Sequence, residues 1–240
     1  IISPIEESPA AKAGIKSGDV VTKVNGNSVE SKTVDEVIKE IKGKENTDVK
    51  LTVERENKEL NFNITRQTIV TKSVSNKVMD NNIGYLRITS FDENTYKEFE
   101  QNLSELKSKG IKGLVIDLRD NPGGLLDVCV DIADDLIGKG TIVYTKDNSG
   151  NKEYYKSDAN EVDMPMAVLI NGGSASASEI LTAALVDNGK AIAIGETSFG
   201  KGLVQSVKGL KDGTGYKLTT AQYFTPNDDY INGKGIKPKI

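Results

Sequence analysis

The stretch Gly113-Leu114-Val115-Ile116-Asp117-Leu118-Arg119-Asp120-Asn121-Pro122-Gly123-Gly124 decides the fold. A short apolar run ends abruptly in a polar turn that carries one proline and two glycines. Residues 125–137 then read as an apolar helix. A strand apolar on both faces must be covered on both faces, which implies a helix-flanked, parallel sheet. The same unit recurs downstream. Residues 166–170 form another buried strand, and a turn of small residues leads into a helix from about 174 to 188; residues 191–195 form a further strand. Upstream, a strand over 83–88 precedes a long helix over 92–109 with a strongly charged surface. A polar excursion over 146–161 separates two further strand signals. This alternation of strand, loop and helix argues α/β.

The first part of the chain, 1–68, reads as a separate α+β unit. Ser8 caps a short helix with Pro9 in its first turn, and Gly14 ends it. Residues 19–24 are a strand and Asn25-Gly26 a tight turn. Thr33 caps a helix over 34–42 whose Val34, Val37, Ile38 and Ile41 recur at helical spacing. Strands over 49–54 and 59–64 flank a turn at Asn57-Lys58. The second unit is 69–240. The boundary over 66–80 is polar and lacks Pro and Gly, so packing between the units is expected.

Composition narrows the function. The 240 residues carry 31 basic and 35 acidic side chains, well mixed, for a net charge of −4. No basic stripe suits a phosphate backbone, so nucleic acid is not an expected partner. The apolar runs Ala167-Val168-Leu169-Ile170 and Ala191-Ile192-Ala193-Ile194 are far too short to span a bilayer. The chain starts at Ile1-Ile2 without an initiator Met and reads as an internal piece of a longer protein. The single cysteine, Cys129, has valine on both sides and is expected to be a core thiol.

The chain has no histidine, yet Asn171-Gly172-Gly173-Ser174-Ala175-Ser176-Ala177-Ser178-Glu179-Ile180 places a serine cluster between a strand and a helix. A helix start offers unpaired N–H groups and a positive dipole end to a developing oxyanion. The glycine amides of Asn121-Pro122-Gly123-Gly124 are natural partners for it. Without imidazole, the serine–histidine arrangement is closed. The base must be a carboxylate, an external group or a lysine. Lys201 stands out in Phe199-Gly200-Lys201-Gly202-Leu203-Val204-Gln205-Ser206, 25 residues after Ser176. It follows an apolar strand, and Gln205 is within reach of its amine. As a base it must be neutral, which requires its pKa to fall from about 10.4 towards 7–8 through burial. Among the serines, Ser174 and Ser178 would share one helical face, and Ser176 lies about 200° from Ser174 at 100° per residue. Ser174 is most simply an N-cap, with Glu179 or Ser178 supporting the first turn. These patterns do not choose the nucleophile.

Two resemblances extend this reading. Ser8-Pro9-Ala10, Ala13-Gly14-Ile15-Lys16-Ser17-Gly18-Asp19 and Val24-Asn25-Gly26 resemble a PDZ domain of the bacterial, protease-associated kind. That implies a groove receiving the carboxyl terminus of another chain by strand addition. The family's carboxylate-binding loop precedes the residues present here. The serine cluster, Gly200-Lys201-Gly202 with Gln205, the stretch 117–125 and Gly233-Lys234-Gly235-Ile236-Lys237-Pro238 resemble the carboxy-terminal processing proteases, the tail-specific serine peptidases. The resemblance implies a crotonase/Clp-protease-like catalytic domain with Ser176 as nucleophile, Lys201 as general base and Gln205 orienting the lysine. Backbone N–H groups of Ala177 and of Gly123 or Gly124 would form the oxyanion hole. It implies no metal or cofactor, protein or peptide substrates with free C-terminal tails, and an extracytoplasmic bacterial location in the cell envelope or secreted. It also implies a homodimer through segments outside this chain, and leaves room for a membrane anchor in the full-length protein. The alternatives are a noncatalytic PDZ-type peptide-binding protein on a protease scaffold, and an acyl-CoA enzyme on the same superfold.

Overall fold

The computed structural model of the chain describes residues 1, 4–5, 8–69, 72–158 and 160–240. Ile2, Val70 and Thr71 of the expected junction, and Ala159 of the polar excursion, lie outside them. The chain divides into two compact units, Ile1–Thr71 and Lys72–Ile240.

The first unit comprises α1 (Pro9–Ala13), β1 (Val20–Val24), β2 (Asn27–Ser28), α2 (Val34–Ile41), β3 (Asp48–Arg55) and β4 (Lys58–Thr65). Its antiparallel sheet has the order β2-β1-β3-β4. Ser8 caps α1 through the Ala11 N–H at 3.2 Å, and Gly14 closes it in the left-handed region at φ 98°. Thr33 and Glu36 form a reciprocal capping box on α2. Val24, Val49, Leu51, Val53 and Ile64 are buried in a small core. Beside it, the buried Asp19 accepts two hydrogen bonds from Arg55, at 2.6 and 2.7 Å, and one from the Lys16 N–H at 2.8 Å. Arg55 also donates to the Gly14 carbonyl at 2.7 Å, which ties the end of α1 to β3.

The second unit holds β5 (Val74–Met79), β6 (Ile83–Ile88), α3 (Thr95–Ser108), β7 (Gly113–Asp117), α4 (Leu126–Leu136), β8 (Gly140–Asp147) and β9 (Lys152–Ser157). They are followed by β10 (Met166–Ile170), α5 (Ala177–Asp187), β11 (Ala191–Gly195), β12 (Leu203–Gly209) and β13 (Gly215–Phe224). One sheet has the order β11-β10-β7-β6-β5 and is parallel except for β5. The other, β12-β13-β8-β9, is antiparallel throughout. The core packs α3, α4 and α5 with the parallel strands through Phe91, Phe99, Leu86, Ile116, Ile132, Leu136, Val168 and Leu181, all fully buried. Loops leaving the carboxyl ends of the adjacent strands β7 and β10 therefore meet.

The buried strands and helices fall where the apolar pattern puts them. The helix expected from about residue 174 instead starts at Ala177, and the polar excursion contains β9, which pairs with β8. The edge strand β5 and the β12–β13 hairpin carry too little apolar alternation to be read as strands.

The Arg55 hydrogen bond, more than any other contact, lowers the Asp19 pKa from 3.8 to about 2. A depressed carboxyl stabilises the fold above its unfolded pKa, and that contribution is lost as the pH falls through the folded value. Asp19→Asn should therefore weaken the first unit at pH 7, with the penalty shrinking as the pH falls from about 4 to about 2. Urea unfolding followed by a first-unit probe checks this; an equal penalty at pH 2 and pH 7 contradicts it.

Candidate active site

Two loops and a hairpin enclose a cavity of about 460 Å³ at the ends of β7 and β10. Ser176, Ala177, Gly123, Gly124, Lys201 and Gln205 all line it, so every site residue expected from the sequence comes to one place. Leu126, Ile180, Leu203 and Val204 supply apolar wall.

The three serines are told apart by what their hydroxyls do. Ser174 is buried and donates to the Leu118 carbonyl at 2.8 Å. Ser178 is buried and donates to the Asn121 carbonyl at 2.9 Å. Both bind the serine loop to the loop after β7. Ser176 instead faces the cavity and occupies the N-cap position of α5, with φ 56° and ψ −115°. The expectation that Ser174 caps the helix is therefore corrected. The backbone between Ser174 and Ala177 is not helical, so the 200° argument does not apply there. Among the described residues, Ser176 is the one residue with positive φ that is neither Gly, Asn, Asp nor Glu. Such strain persists only where the surroundings impose it. A serine on a sharp strand-to-helix turn is how an exposed nucleophile is commonly presented.

The glycines of the 117–125 stretch are dictated by contact. A Cβ on Gly123 would lie 2.7 Å from the Ala175 carbonyl oxygen, 2.8 Å from the Ser176 Cβ and 2.9 Å from the Ala177 nitrogen. A Cβ on Gly124 would collide with the Phe91 carbonyl. Gly123 donates its N–H to Asn121 Oδ1 at 2.9 Å. Asn121, itself buried, accepts the Ala175 N–H on its carbonyl at 3.0 Å. At the end of β7 the buried Asp117 takes Arg119 Nε at 2.9 Å and Nη2 at 2.6 Å, and the Tyr85 hydroxyl at 2.5 Å. Burial pushes the Asp117 carboxyl up, but the Arg119 and Tyr85 donors outweigh it and hold it below its ordinary value.

Sequence reading undervalued Glu179. It is fully buried in the first turn of α5. Its Oε2 accepts the N–H of Ser176 at 2.9 Å and of Lys201 at 2.8 Å, and its Oε1 accepts the Gly200 N–H at 2.7 Å and the Ser198 hydroxyl at 2.6 Å. One carboxylate thus fixes both the serine loop and the lysine loop. The Ser-x-x-Glu spacing was visible as a capping signal; its second set of partners was not. Ser198 Oγ in turn accepts the Ile236 N–H at 2.6 Å, and a Cβ on Gly200 would meet the Gly235 nitrogen at 2.8 Å. A Cβ on Gly235 would in turn collide with the Ser198 carbonyl oxygen, which accounts for that glycine of the Gly233-Lys234-Gly235 motif. Tyr223 completes the floor: its hydroxyl donates to the Lys201 carbonyl and lies 3.3 Å from the Ser176 carbonyl. Burial, then the nearby Glu179, push the Tyr223 hydroxyl well up. Cys129 is a core thiol, as expected. It is pushed up by burial and donates to the Ala177 carbonyl at 3.1 Å.

Lys201 is half-buried and Gln205 exposed on β12. Among the described residues, no side-chain hydrogen bond joins Ser176, Lys201 and Gln205 to one another; the contacts tying the two loops run through backbone atoms.

Comparison with known proteins identifies the family. Residues 82–240 match the model of Peptidase family S41, and residues 1–55 match that of the PDZ domain. The chain belongs to peptidase family S41. The carboxy-terminal processing protease CtpA of Bacillus subtilis (strain 168) is 44% identical over 243 residues, covering 100% of this chain and 52% of that protein. A probable CtpA-like serine protease of Staphylococcus aureus (strain N315) is 42% identical over 244 residues, covering 100% of this chain and 49% of that one. The chain spans about half the length of these curated relatives. Among solved structures, the photosystem II D1 C-terminal processing protease aligns with a TM-score of 0.65 at 32% identity, covering 100% of this chain and 67% of that one. An α/β S41 unit preceded by a small PDZ unit is the architecture expected from the sequence.

Glu179→Gln turns an acceptor towards four donors into an amide that must present its own N–H groups to some of them. A buried mismatch of this kind costs about 2 kcal/mol or more. Calorimetry should show the second unit melting on the order of 5 °C lower. An unchanged melting temperature contradicts the hub.

Proposed function

We propose that this chain is the PDZ and catalytic portion of a serine endopeptidase that cleaves proteins near their C-termini, with Ser176 as nucleophile and Lys201 as general base. The observation that carries this is the strained Ser176 on the cavity wall, locked by Glu179 to the loop that bears Lys201. Neutral Lys201 takes the Ser176 proton as Oγ attacks the scissile carbonyl. The oxyanion is held by backbone N–H groups. Ala177 is one donor, and Gly124 is favoured over Gly123 as the second, because the Gly123 N–H already serves Asn121. The lysine then gives its proton to the leaving amine, and water repeats the sequence on the acyl-enzyme. Gln205 orients the lysine amine once substrate fills the cavity; such contacts often tighten only in the complex.

The first unit would hold the substrate's C-terminal tail by strand addition. Residues 1–68 and 69–240 are the working division between tail capture and cleavage. We further infer action outside the cytoplasm, in the bacterial cell envelope or secreted, with homodimer contacts and any membrane anchor supplied by other parts of the full-length protein. Among the described residues, no helix is long and apolar enough to cross a membrane.

Ser176→Ala should abolish cleavage of an unstructured peptide with an apolar tail, together with labelling by a fluorophosphonate probe. Lys201→Ala should do the same. Lys201→Arg should also fail, because arginine is not deprotonated in proteins. Full activity in the Ser176 variant would remove the assignment. Peptide binding without labelling in the unmodified chain would favour the noncatalytic reading.

A further inference from the structure

The cavity wall holds a second lysine that acyl transfer leaves unused. Lys217 of β13 is paired across the hairpin with Val207 of β12. Residues opposite each other in an antiparallel pair share a face, and both of these line the cavity with Ser176 and Lys201. Among the described residues, the lining includes two lysines and no Asp or Glu, in a chain of net charge −4. Glu179, which fixes the two loops, does not pair with Lys217: it is fully buried and its oxygens are taken by four donors. Lys217 is exposed and, among the described residues, has no carboxylate within ion-pair distance. Val207 beside it is 72% exposed. An ammonium next to an uncovered apolar side chain has the make-up of a subsite.

We propose that Lys217 and Val207 form an outer substrate subsite that selects a carboxylate near the scissile bond; this rests on the peptidase reading above. Val207 is two residues beyond Gln205 on β12, roughly 7 Å at strand spacing, and an extended peptide covers that distance in about two residues. The selected group therefore sits about two residues along the substrate from the one beside Gln205. Lysine offers a compact charge on a flexible stem, so the subsite reads charge and not the planar shape that arginine would match. The carboxylate comes either from an Asp or Glu side chain or from the α-carboxylate of a short tail.

The test uses the full chain and its Lys217→Gln and Lys217→Glu variants. Quenched peptides of one sequence, all amidated at the C-terminus, carry Glu, Gln or Lys at each of three positions on either side of the scissile bond. A second set ends at those positions as free acid or amide. The readouts are kcat/KM, and the Kd for the same peptides in the Ser176→Ala background. The expected result is a preference for Glu over Lys of about fivefold at one position, seen in KM and Kd more than in kcat. Lys217→Gln erases the preference and Lys217→Glu reverses it, and salt at about 0.5 M weakens it. A preference confined to the free acids identifies the α-carboxylate as the ligand; one for internal Glu identifies the side chain. An unchanged preference in Lys217→Glu, or none in the unmodified chain, overturns the subsite. A charge preference in Kd with no cleavage in any chain supports the subsite and removes the peptidase reading instead.

Discussion

The buried carboxylate of Glu179 is the constraint on which the site depends. The loop that carries Ser176 leaves β10 and the loop that carries Lys201 leaves β11; the Phe199 N–H donates directly to the Ser174 carbonyl at 2.9 Å, and Glu179 supplies further ties through its side chain. Glu179 takes two donors from the lysine loop, one from the serine turn and one from Ser198. Hydrogen bonds to an ionised acceptor are shorter and stronger than neutral ones, and a buried carboxylate stripped of its partners is costly. The four donors therefore stay together as a set. Through Ser198 the same set reaches Ile236, so residues close to the end of the chain help to fix the lysine loop.

That rigidity makes the backbone of Ser176 understandable. A non-glycine residue in so unusual a region costs about 1 to 3 kcal/mol and persists only if its surroundings over-determine it. Here the N–H is held by Glu179, the carbonyl by Tyr223, and Gly123 lies directly behind the Cβ. The strain has two consequences. It turns the Ser176 side chain to the cavity while Ser174 and Ser178 face inward, and it starts α5 at Ala177, whose N–H is then one of the unpaired amides of a helix start.

What the sequence made legible follows the physics of each element. The strands β7, β10 and β11 are apolar runs bounded by turns, and their burial wrote them plainly. The candidate site residues were readable as types at a spacing: serines at a helix entrance, glycines that tolerate close approach, and a lysine in a chain without imidazole. The start of α5 was not readable, because helical periodicity carries no sign that a serine will take a positive φ. The sheet of β8, β9, β12 and β13 was only partly visible, since its exposed strands have little reason to alternate. Glu179 showed half its role, the local capping reach. Its contacts to Gly200 and Lys201 lie more than twenty positions away and exist only in the folded chain.

The half-burial of Lys201 bears on how a lysine base would operate here. Neutralising an amine takes desolvation, and a cavity open enough to admit a peptide also admits water. The walls that would exclude it, Leu126, Ile180, Leu203 and Val204, line that cavity. A seated peptide replaces water beside the amine with amide and apolar groups. On the proposed reading, the substrate thus completes the environment of its own base. The fixed backbone and the unlinked side chains of Ser176, Lys201 and Gln205 then belong together. On that reading Glu179 would hold the loops ready, and occupancy of the cavity would both dry the amine and align it on the serine. On the same reading, a first unit that captured C-terminal tails would serve this requirement, because it would raise the local concentration of the segment whose arrival completes the base.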